Sequence, residues 1–201
     1  MCFSNRFLTM LLGVLLIGCN NKDNIRLDGG SLISVDDSSL KRYHESEVFS
    51  DKENLARIII DTSLLNGVYY KNYENGSLSQ EHMFVDGMQH GFCRTYYESG
   101  SKEWVGNWRS SREHGLWMRY YEDGSLMSKG KYFDGNIDGV AIDYYSNGQI
   151  KSEKRFTKGD LHGEAKGYYD DGMPEYVVMW RGGEIIKETR WDTNGYIVSS
   201  N

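Results

Sequence analysis

Short stretches in which apolar and aromatic residues recur among polar ones follow each other along this chain, separated by glycine-containing turns. The stretch 115–121, Gly-Leu-Trp-Met-Arg-Tyr-Tyr, has the content of a β-strand. Glu-Asp-Gly at 122–124 supplies a residue that tolerates positive φ where the chain reverses. A second strand is predicted from about Leu126 to Phe133, before a turn at Asp134-Gly135. No apolar period of 3.6 residues persists long enough to predict a helix in these repeats.

These units repeat with a fixed spacing of 24 residues. Three series of glycines have this spacing: Gly67, Gly91, Gly115, Gly139 and Gly163; Gly76, Gly100, Gly124, Gly148 and Gly172; and Gly87, Gly135, Gly159 and Gly183. Ser111 is the one exception in the third series. Two aromatic series share the spacing: Tyr73, Tyr97, Tyr121, Tyr145 and Tyr169; and Phe84, Trp108, Tyr132, Phe156 and Trp180.

The spacing predicts an all-β fold, an elongated single-layer antiparallel meander of tandem 24-residue β-hairpin repeats. Strands lie roughly 4.8 Å apart, so equivalent side chains of successive repeats form ladders with steps of about 9.6 Å. The two aromatic series then form stripes whose first role is to pack neighbouring repeats. Some rings are expected to stay accessible, because a sheet one layer thick has little else to bury them.

Residues 1–18 have the pattern of a signal peptide. Arg6 precedes an apolar run from Phe7 to Ile17, which is shorter than the roughly 20 residues of a membrane-spanning helix and suits a secretory signal. The run ends in Leu16-Ile17-Gly18-Cys19, which resembles the bacterial lipobox. That resemblance implies lipidation of Cys19 and cleavage before it. The expected protein is lipid-anchored in a bacterial cell envelope, at the outer membrane or the cell surface.

The remaining chain divides into four segments. Residues 19–45, rich in Asp, Ser, Asn and Gly, are predicted to form a flexible tether. Residues 46–66 look like a degenerate half-repeat that caps the array, residues 67–186 hold five repeats, and residues 187–201 form a partial C-terminal capping repeat. Pro174 is expected at a strand start or an edge, because it cannot donate a ladder hydrogen bond.

The charge balance excludes one class of partner. The sequence carries 23 Lys and Arg against 29 Asp and Glu, a net charge of −6. Loss of residues 1–18 removes one cation, Arg6, and makes the net charge −7. Nucleic acids are bound through Lys and Arg side chains that neutralise phosphates, so no nucleic acid partner is expected.

The repeated pattern Gly-x-x-x-x-Tyr-Tyr-x-x-Gly, with His-Gly at the repeat junctions, resembles the bacterial variant of the MORN repeat. The resemblance covers residues 67 to 195. It implies an interaction scaffold, and for bacterial chains of this type an antitoxin or immunity component that masks a toxin by binding it. It carries over no catalytic residue.

Histidines at one repeat position raise the question of a metal site. Consecutive equivalents of His90, His114 and His162 would lie about 10 Å apart, whereas zinc ligands each lie about 2.0 to 2.1 Å from one ion. Asn66 and Asp138 fill the same position, which favours a polar turn group bonded to backbone. No metal and no cofactor are therefore expected.

The remaining chemistry is sparse. Cys93 stands alone in the folded part, and we expect it to pack as a small apolar residue. Nothing in the sequence pairs it with a histidine as nucleophile and base. Acidic residues cluster at turns, where solvated charges are expected. The sequence therefore predicts that the chain is not an enzyme.

Three kinds of function stay open. The first is an envelope module that binds a protein, such as a toxin; the second is a glycan or peptidoglycan binder; the third is a passive structural scaffold. The candidate partner surface consists of Trp104, Trp108, Trp117 and Trp180. An exposed row of tryptophans on one face would favour sugars, whereas a mixed acidic and aromatic face would favour a protein partner.

Overall fold

The computed structural model describes residues 25–26, 32–33, 40–59 and 61–200. The predicted signal peptide 1–18 and the lipidation residue Cys19 lie outside the described residues, as does most of the predicted tether. No helix among the residues that the structure describes is long and apolar enough to span a membrane.

Contacts divide the chain into two units, residues 1–38 and residues 39–201. In the first unit, the described residues form two short antiparallel strands, β1 (Ile25–Arg26) and β2 (Leu32–Ile33). The second unit contains a short 3-10 helix, Glu45–Glu47. Its strands are β3 (Arg42–His44), β4 (Val48–Ser50), β5 (Ala56–Ile58), β6 (Gly67–Asn72), β7 (Leu78–Val85), β8 (Met88–Tyr96), β9 (Lys102–Arg109), β10 (Arg112–Glu113), β11 (Gly115–Tyr120), β12 (Leu126–Phe133), β13 (Asn136–Ile137), β14 (Gly139–Tyr144), β15 (Ile150–Thr157), β16 (Asp160–Tyr168), β17 (Pro174–Arg181), β18 (Glu184–Trp191) and β19 (Ile197–Ser200).

One 15-stranded sheet holds all the repeats. From β6 to β19 the strands lie side by side in chain order, and the two short strands β10 and β13 pair with β9 and β12. Every pairing along this run is antiparallel. The predicted all-β meander of tandem hairpins is therefore confirmed. Pro174 begins β17, as its missing N–H predicts.

Two-residue turns close the repeats at one end of the strands. Asp134 and Gly135 have φ of 52° and 84°, so both lie in the left-handed region that a type I′ turn requires. Equivalent turns are formed by Asp86–Gly87, Ser110–Ser111, Lys158–Gly159 and Gly182–Gly183. Ser111, the exception in the glycine series, takes a φ of 60° and keeps the turn. The turn therefore depends on the left-handed conformation, which glycine adopts at the lowest cost.

A wider turn closes each hairpin at the other end of the strands. The backbone N–H of Tyr121 donates to the carbonyl of Ser125 (2.8 Å), and the N–H of Gly124 donates to the carbonyl of Tyr121 (2.9 Å). Gly124 has a φ of 85°, and the strand register then shifts by one residue between Arg119 and Tyr120. This combination is the turn and bulge typical of three-residue hairpin loops. The same bonds recur in the turns that begin at Tyr73, Tyr97, Tyr145, Tyr169 and Asp192.

Each of the five tyrosines that begin a wide turn also bonds to the following repeat. The Tyr121 hydroxyl donates to the backbone carbonyl of Tyr144 at 2.8 Å. Equivalent bonds join Tyr73 to Tyr96 (2.6 Å), and Tyr97 to Tyr120, Tyr145 to Tyr168 and Tyr169 to Trp191 (each 2.8 Å). At the opposite end of the strands, the N–H of Gly135 donates to the carbonyl of Glu113 at 2.9 Å. Each hairpin is therefore bonded to its neighbours at both ends of its strands.

The predicted tether extends too far along the chain. Residues 42–44, which the sequence placed in the tether 19–45, form β3, and β3 pairs parallel with β6. Gly67 makes this approach possible, because a Cβ on it would collide with the carbonyl of Lys41. That carbonyl accepts a hydrogen bond of 2.8 Å from the N–H of Val68. Residues 42–44 therefore belong to the large sheet and not to a tether.

Residues 46–66 do not extend the large sheet as the predicted half-repeat would. The place beside β6 is occupied by β3, so β4 and β5 pair with each other as a separate two-stranded sheet. We call residues 48–58 the cap hairpin. Its apolar residues join a core of Tyr43, Ala56, Ile58 and Leu65, against which Val48, Tyr69 and Phe84 pack. The segment thus covers the first repeat from one side of the sheet.

A buried carboxylate connects β3 to the first two repeats. Glu81 is 4% exposed; it accepts a bond from the hydroxyl of Tyr96 (2.8 Å) and pairs with Arg42. Arg94 lies 3.5 Å from its other oxygen. A charge buried in this way stabilises the structure only while its partners remain in place, so β3 and the first repeats depend on each other.

The tyrosine bonds between repeats can be tested by removing one hydroxyl. Tyr121→Phe keeps the ring, and we expect the free energy of unfolding to fall by about 1 kcal/mol, the usual contribution of one neutral hydrogen bond. Tyr196 is 72% exposed, so Tyr196→Phe is the control and should change it by less than about 0.5 kcal/mol. Urea unfolding of the three chains measures both changes. Equal effects of the two substitutions would contradict the proposed link.

Candidate functional site

Strand register divides the side chains of the large sheet between two faces. Directly paired residues of antiparallel strands share a face, and successive residues alternate. One face, which we call the aromatic face, carries the mixed aromatic series Phe84, Trp108, Tyr132, Phe156 and Trp180, all half-buried. The other face, which we call the aliphatic face after its exposed Leu116 and Val140, also carries charged residues such as their register partners Lys131 and Arg155.

The four tryptophans predicted as a partner surface all lie on the aromatic face. They are the half-buried Trp104, Trp108, Trp117 and Trp180. The ring of Trp117 lies over its register partner Gly130, where a Cβ would be 2.8 Å from the indole nitrogen. The predicted residues are therefore brought to one side of the sheet, with part of their ring surface turned towards the backbone.

Three glycines that the sequence analysis missed make room for these rings. Tyr176 covers its register partner Gly167, as Trp117 does with Gly130, whereas Trp104 covers Gly106 on its own strand. None of the three glycines belongs to the 24-residue glycine series. The available signal was a glycine inside a strand, where an aromatic ring on the same face can cover the bare backbone.

The aromatic face is close to electrically neutral. Four ion pairs hold its cations, and they join Lys71 to Glu45 (3.0 Å), Arg119 to Glu103 (3.6 Å), Lys154 to Asp143 (3.3 Å) and Arg190 to Glu188. Such exposed pairs contribute little to stability, but they cancel charge on this face. The exposed acids at the wide turns are Glu74, Glu98, Glu122, Asp123, Asp170 and Asp171. A mixed surface results, with neutral aromatic strands bordered by acidic turns.

A groove of about 370 Å³ opens where the cap hairpin meets the aromatic face. Its lining consists of Val48, Phe49, Ser50 and Ala56 from the hairpin and Tyr69, Gln80, His82, Phe84 and Gln89 from the sheet. No Asp, Glu, Lys or Arg lines the groove. The groove therefore suits an uncharged, largely apolar group.

Behind this groove the structure pairs Cys93 with His82, a contact that the sequence did not reveal. The Cys93 sulfur lies 3.6 Å from Nε2 of His82, and Nδ1 of His82 lies 3.1 Å from the Gln89 side-chain nitrogen. The two residues are direct partners on β7 and β8, which only the strand register determines. The arrangement has the outline of a nucleophile, a base and an orienting amide.

The electrostatics of this pair oppose nucleophilic chemistry. Burial raises the pKa of the Cys93 thiol from 9.0 to about 12, against a smaller lowering by the neighbouring indole of Trp108. Burial also lowers the pKa of His82. A reactive cysteine needs a thiolate beside a cation, whereas here both neutral forms are favoured. Cys93 is 3% exposed and packs as a small apolar residue, as the sequence predicts.

The polar residue before each junction glycine bonds to backbone where Asn or Asp occupies it. The Asn66 side chain accepts from the N–H of Asp86 at 2.9 Å, and Asp138 accepts from the N–H of Lys158 at 3.1 Å. Each bond holds the two-residue turn of the same repeat, as the sequence predicts for this position. Within the described part of the chain, no group of three His, Cys, Asp or Glu side chains could hold a metal ion.

A single-layer sheet of tandem hairpins is consistent with a repeat module of the binding or scaffold class. The MORN repeat variant matches residues 65–86, 113–134, 137–158 and 161–181. The chain therefore contains repeats of this MORN variant. The unit between the first two matches has the same strands and turns, with Ser110–Ser111 in its closing turn. No curated protein matches the chain at a significant level.

The raised pKa of Cys93 predicts a pH-dependent stability. The folded pKa of about 12 lies above the ordinary 9.0, so the neutral thiol contributes stability that is complete below pH 9. This contribution is lost as the pH rises from 9 towards about 12. Between pH 8 and pH 11, the wild-type chain should lose at least about 1 kcal/mol more unfolding free energy than Cys93→Ala, whose side chain does not ionise. Parallel losses in the two chains would contradict the buried neutral thiol.

Proposed function

We propose that this protein is a binding module for another protein, held at a bacterial cell envelope by lipid on Cys19. The observation that carries the proposal is the aromatic face, where half-buried rings and paired charges follow each other along five repeats. Protein interfaces are enriched in aromatic residues and arginine and depleted of unpaired charge at their centres. Arg119 and Arg190 lie on this face beside their acidic partners. The surface thus has the composition of an interaction surface.

The acidic turns support a more specific form of this function. They border a neutral face in a chain whose net charge is −6. A basic partner would therefore be attracted to the turns before it contacts the rings. Many toxins are basic. An antitoxin or immunity component, which masks a toxin by binding it, fits this charge distribution and the resemblance on which the expectation rests.

Glycan or peptidoglycan binding is the second candidate. The observation in its favour is that all four predicted tryptophans lie on one face of the sheet. Sugars stack on flat, exposed rings, whereas these rings are half-buried and two lie against glycine backbone. The mixture of rings, ion pairs and acidic turns favours a protein partner. A passive structural scaffold is the function left if the surface binds neither.

The anchoring part of the proposal rests on the lipobox resemblance and is tested at Cys19. Cys19→Ala should leave an unlipidated precursor, because lipid is attached to that sulfur and several acyl chains are needed for durable anchoring. Cys2→Ala lies in the same N-terminal segment and is the matched control, which should be lipidated and processed as before. Metabolic labelling with a fatty acid, followed by mass determination, measures both. Normal labelling of Cys19→Ala would refute lipid anchoring at this residue.

The binding part is tested with the tagged, mature protein and extracts of the envelope of the cells that produce it. We expect one polypeptide to be retained in near-stoichiometric amount and to disappear after protease treatment of the extract. Salt should weaken retention if acidic turns attract the partner. Retention that survives protease but is lost after glycosidase digestion would replace this proposal with glycan binding. Retention of neither class would leave a structural scaffold.

A further inference from the structure

The chain covers the first repeat of its own aromatic face. Val48, Ala56 and Ile58 of the cap hairpin belong to or pack against the same cluster as Tyr69 and Phe84. Both of those rings lie on the aromatic face, 6.3 Å apart in an edge-to-face arrangement. The cap hairpin is thus an example, within the molecule, of what this face binds.

The cap hairpin has a distinctive chemistry. Its residues 48–58 include two acids, Asp51 and Glu53, and two cations, Lys52 and Arg57, so its net charge is zero in a chain that is acidic overall. Arg57 pairs with Asp51 within the hairpin. The side chains that it buries in the shared core are aliphatic, and Phe49 lines the groove beside them. A hairpin without net charge therefore packs an aliphatic surface against a neutral aromatic face.

A backbone hydrogen bond fixes the position of the cap hairpin. The N–H of Ala56 donates to the carbonyl of Gly87 at 2.8 Å, and Gly87 is the second residue of the two-residue turn that closes the first repeat. The same turn recurs at Asp134–Gly135 and Lys158–Gly159. The rings equivalent to Phe84 in those repeats are Tyr132 and Phe156. The ring and the turn that the cap hairpin uses are therefore repeated along the array.

Among the residues that the structure describes, no second hairpin lies over the later repeats. We propose that the aromatic face of repeats two to five binds a β-hairpin or extended strand of a partner protein, aliphatic on one side and without net charge. Two sheets pack face to face at about 10 Å, and their twists favour aligned strands. The partner segment would continue the layer that the cap hairpin begins. This inference rests on the proposed function, since it specifies the segment by which a partner protein binds.

The test places a photoreactive residue on each face of the full-length chain in its own cells. p-Benzoylphenylalanine replaces Tyr132 or Phe156 on the aromatic face, where an aromatic residue of similar shape is already present. Matched controls replace Leu116 or Val140 on the aliphatic face. These controls are 52% and 42% exposed, more than the half-buried rings, so random collision alone would favour crosslinks from the controls. Two positions on each face guard against a single substitution that prevents folding.

We expect crosslinks from Tyr132 and Phe156 to exceed those from the controls by roughly fivefold or more, as for a buried interface centre against open surface. Peptide mapping should assign them to a strand or hairpin segment of another polypeptide without net charge. Crosslinks to a helix, to a charged segment or to a second copy of this chain would overturn the inference.

The two levels of the proposal fail in different ways. Protein crosslinks that arise mainly from Leu116 or Val140 would overturn this binding face and leave the protein-binding function in place. Protein crosslinks from neither face would overturn both, provided that the substituted chains keep the circular dichroism and melting temperature of the wild type.

Discussion

The hydrogen bond from one tyrosine hydroxyl to the backbone carbonyl of the next repeat is the interaction on which this fold depends. A sheet one layer thick has no second layer to hold its strands in place, and in the described part of the chain the largest side chains that are fully buried are Leu65 and Val68. Cohesion therefore comes from contacts between neighbouring repeats, as in other repeat proteins. The hydroxyl of Tyr121, for example, bonds to the next repeat at one end of the strands. At the other end, the N–H of Gly135 in the two-residue turn bonds to the carbonyl of Glu113. Each hairpin is stabilised by its neighbours more than by its own core.

This way of holding the sheet together leaves its surfaces open for binding. Because hydrogen bonds at the ends of the strands hold neighbouring repeats together, the rings on the aromatic face need to be only half-buried. The glycines beneath them allow the rings to lie flat, and acidic partners cancel the cations beside them. Exposed acids lie at the wide turns that border this face. A partner would meet the acidic turns first and the neutral aromatic strands afterwards. This order suits a fast encounter followed by stable contact.

The pairing of Cys93 with His82 shows why a contact alone does not define an active site. The geometry brings a thiol, an imidazole and an amide together, yet burial favours the neutral form of both ionisable groups. The same burial that holds Cys93 in the sheet thus removes the thiolate that catalysis would need. The surfaces that suit binding are the aromatic face and the groove beside the cap hairpin.

The 24-residue spacing by itself determined the strands, the turns, the meander and the aromatic series, because side chains alternate in a strand and glycine marks the left-handed turn positions. Even Pro174 and the bonding role of Asn66 and Asp138 followed from local chemistry. Only the tertiary structure decided that β3 pairs parallel with β6, that residues 48–58 cover the first repeat, and that Cys93 faces His82. These features depend on contacts between residues distant in sequence, outside the repeat period. Which face each ring occupies also required the register, since the bulges shift the alternation of side chains in a way that spacing alone does not reveal.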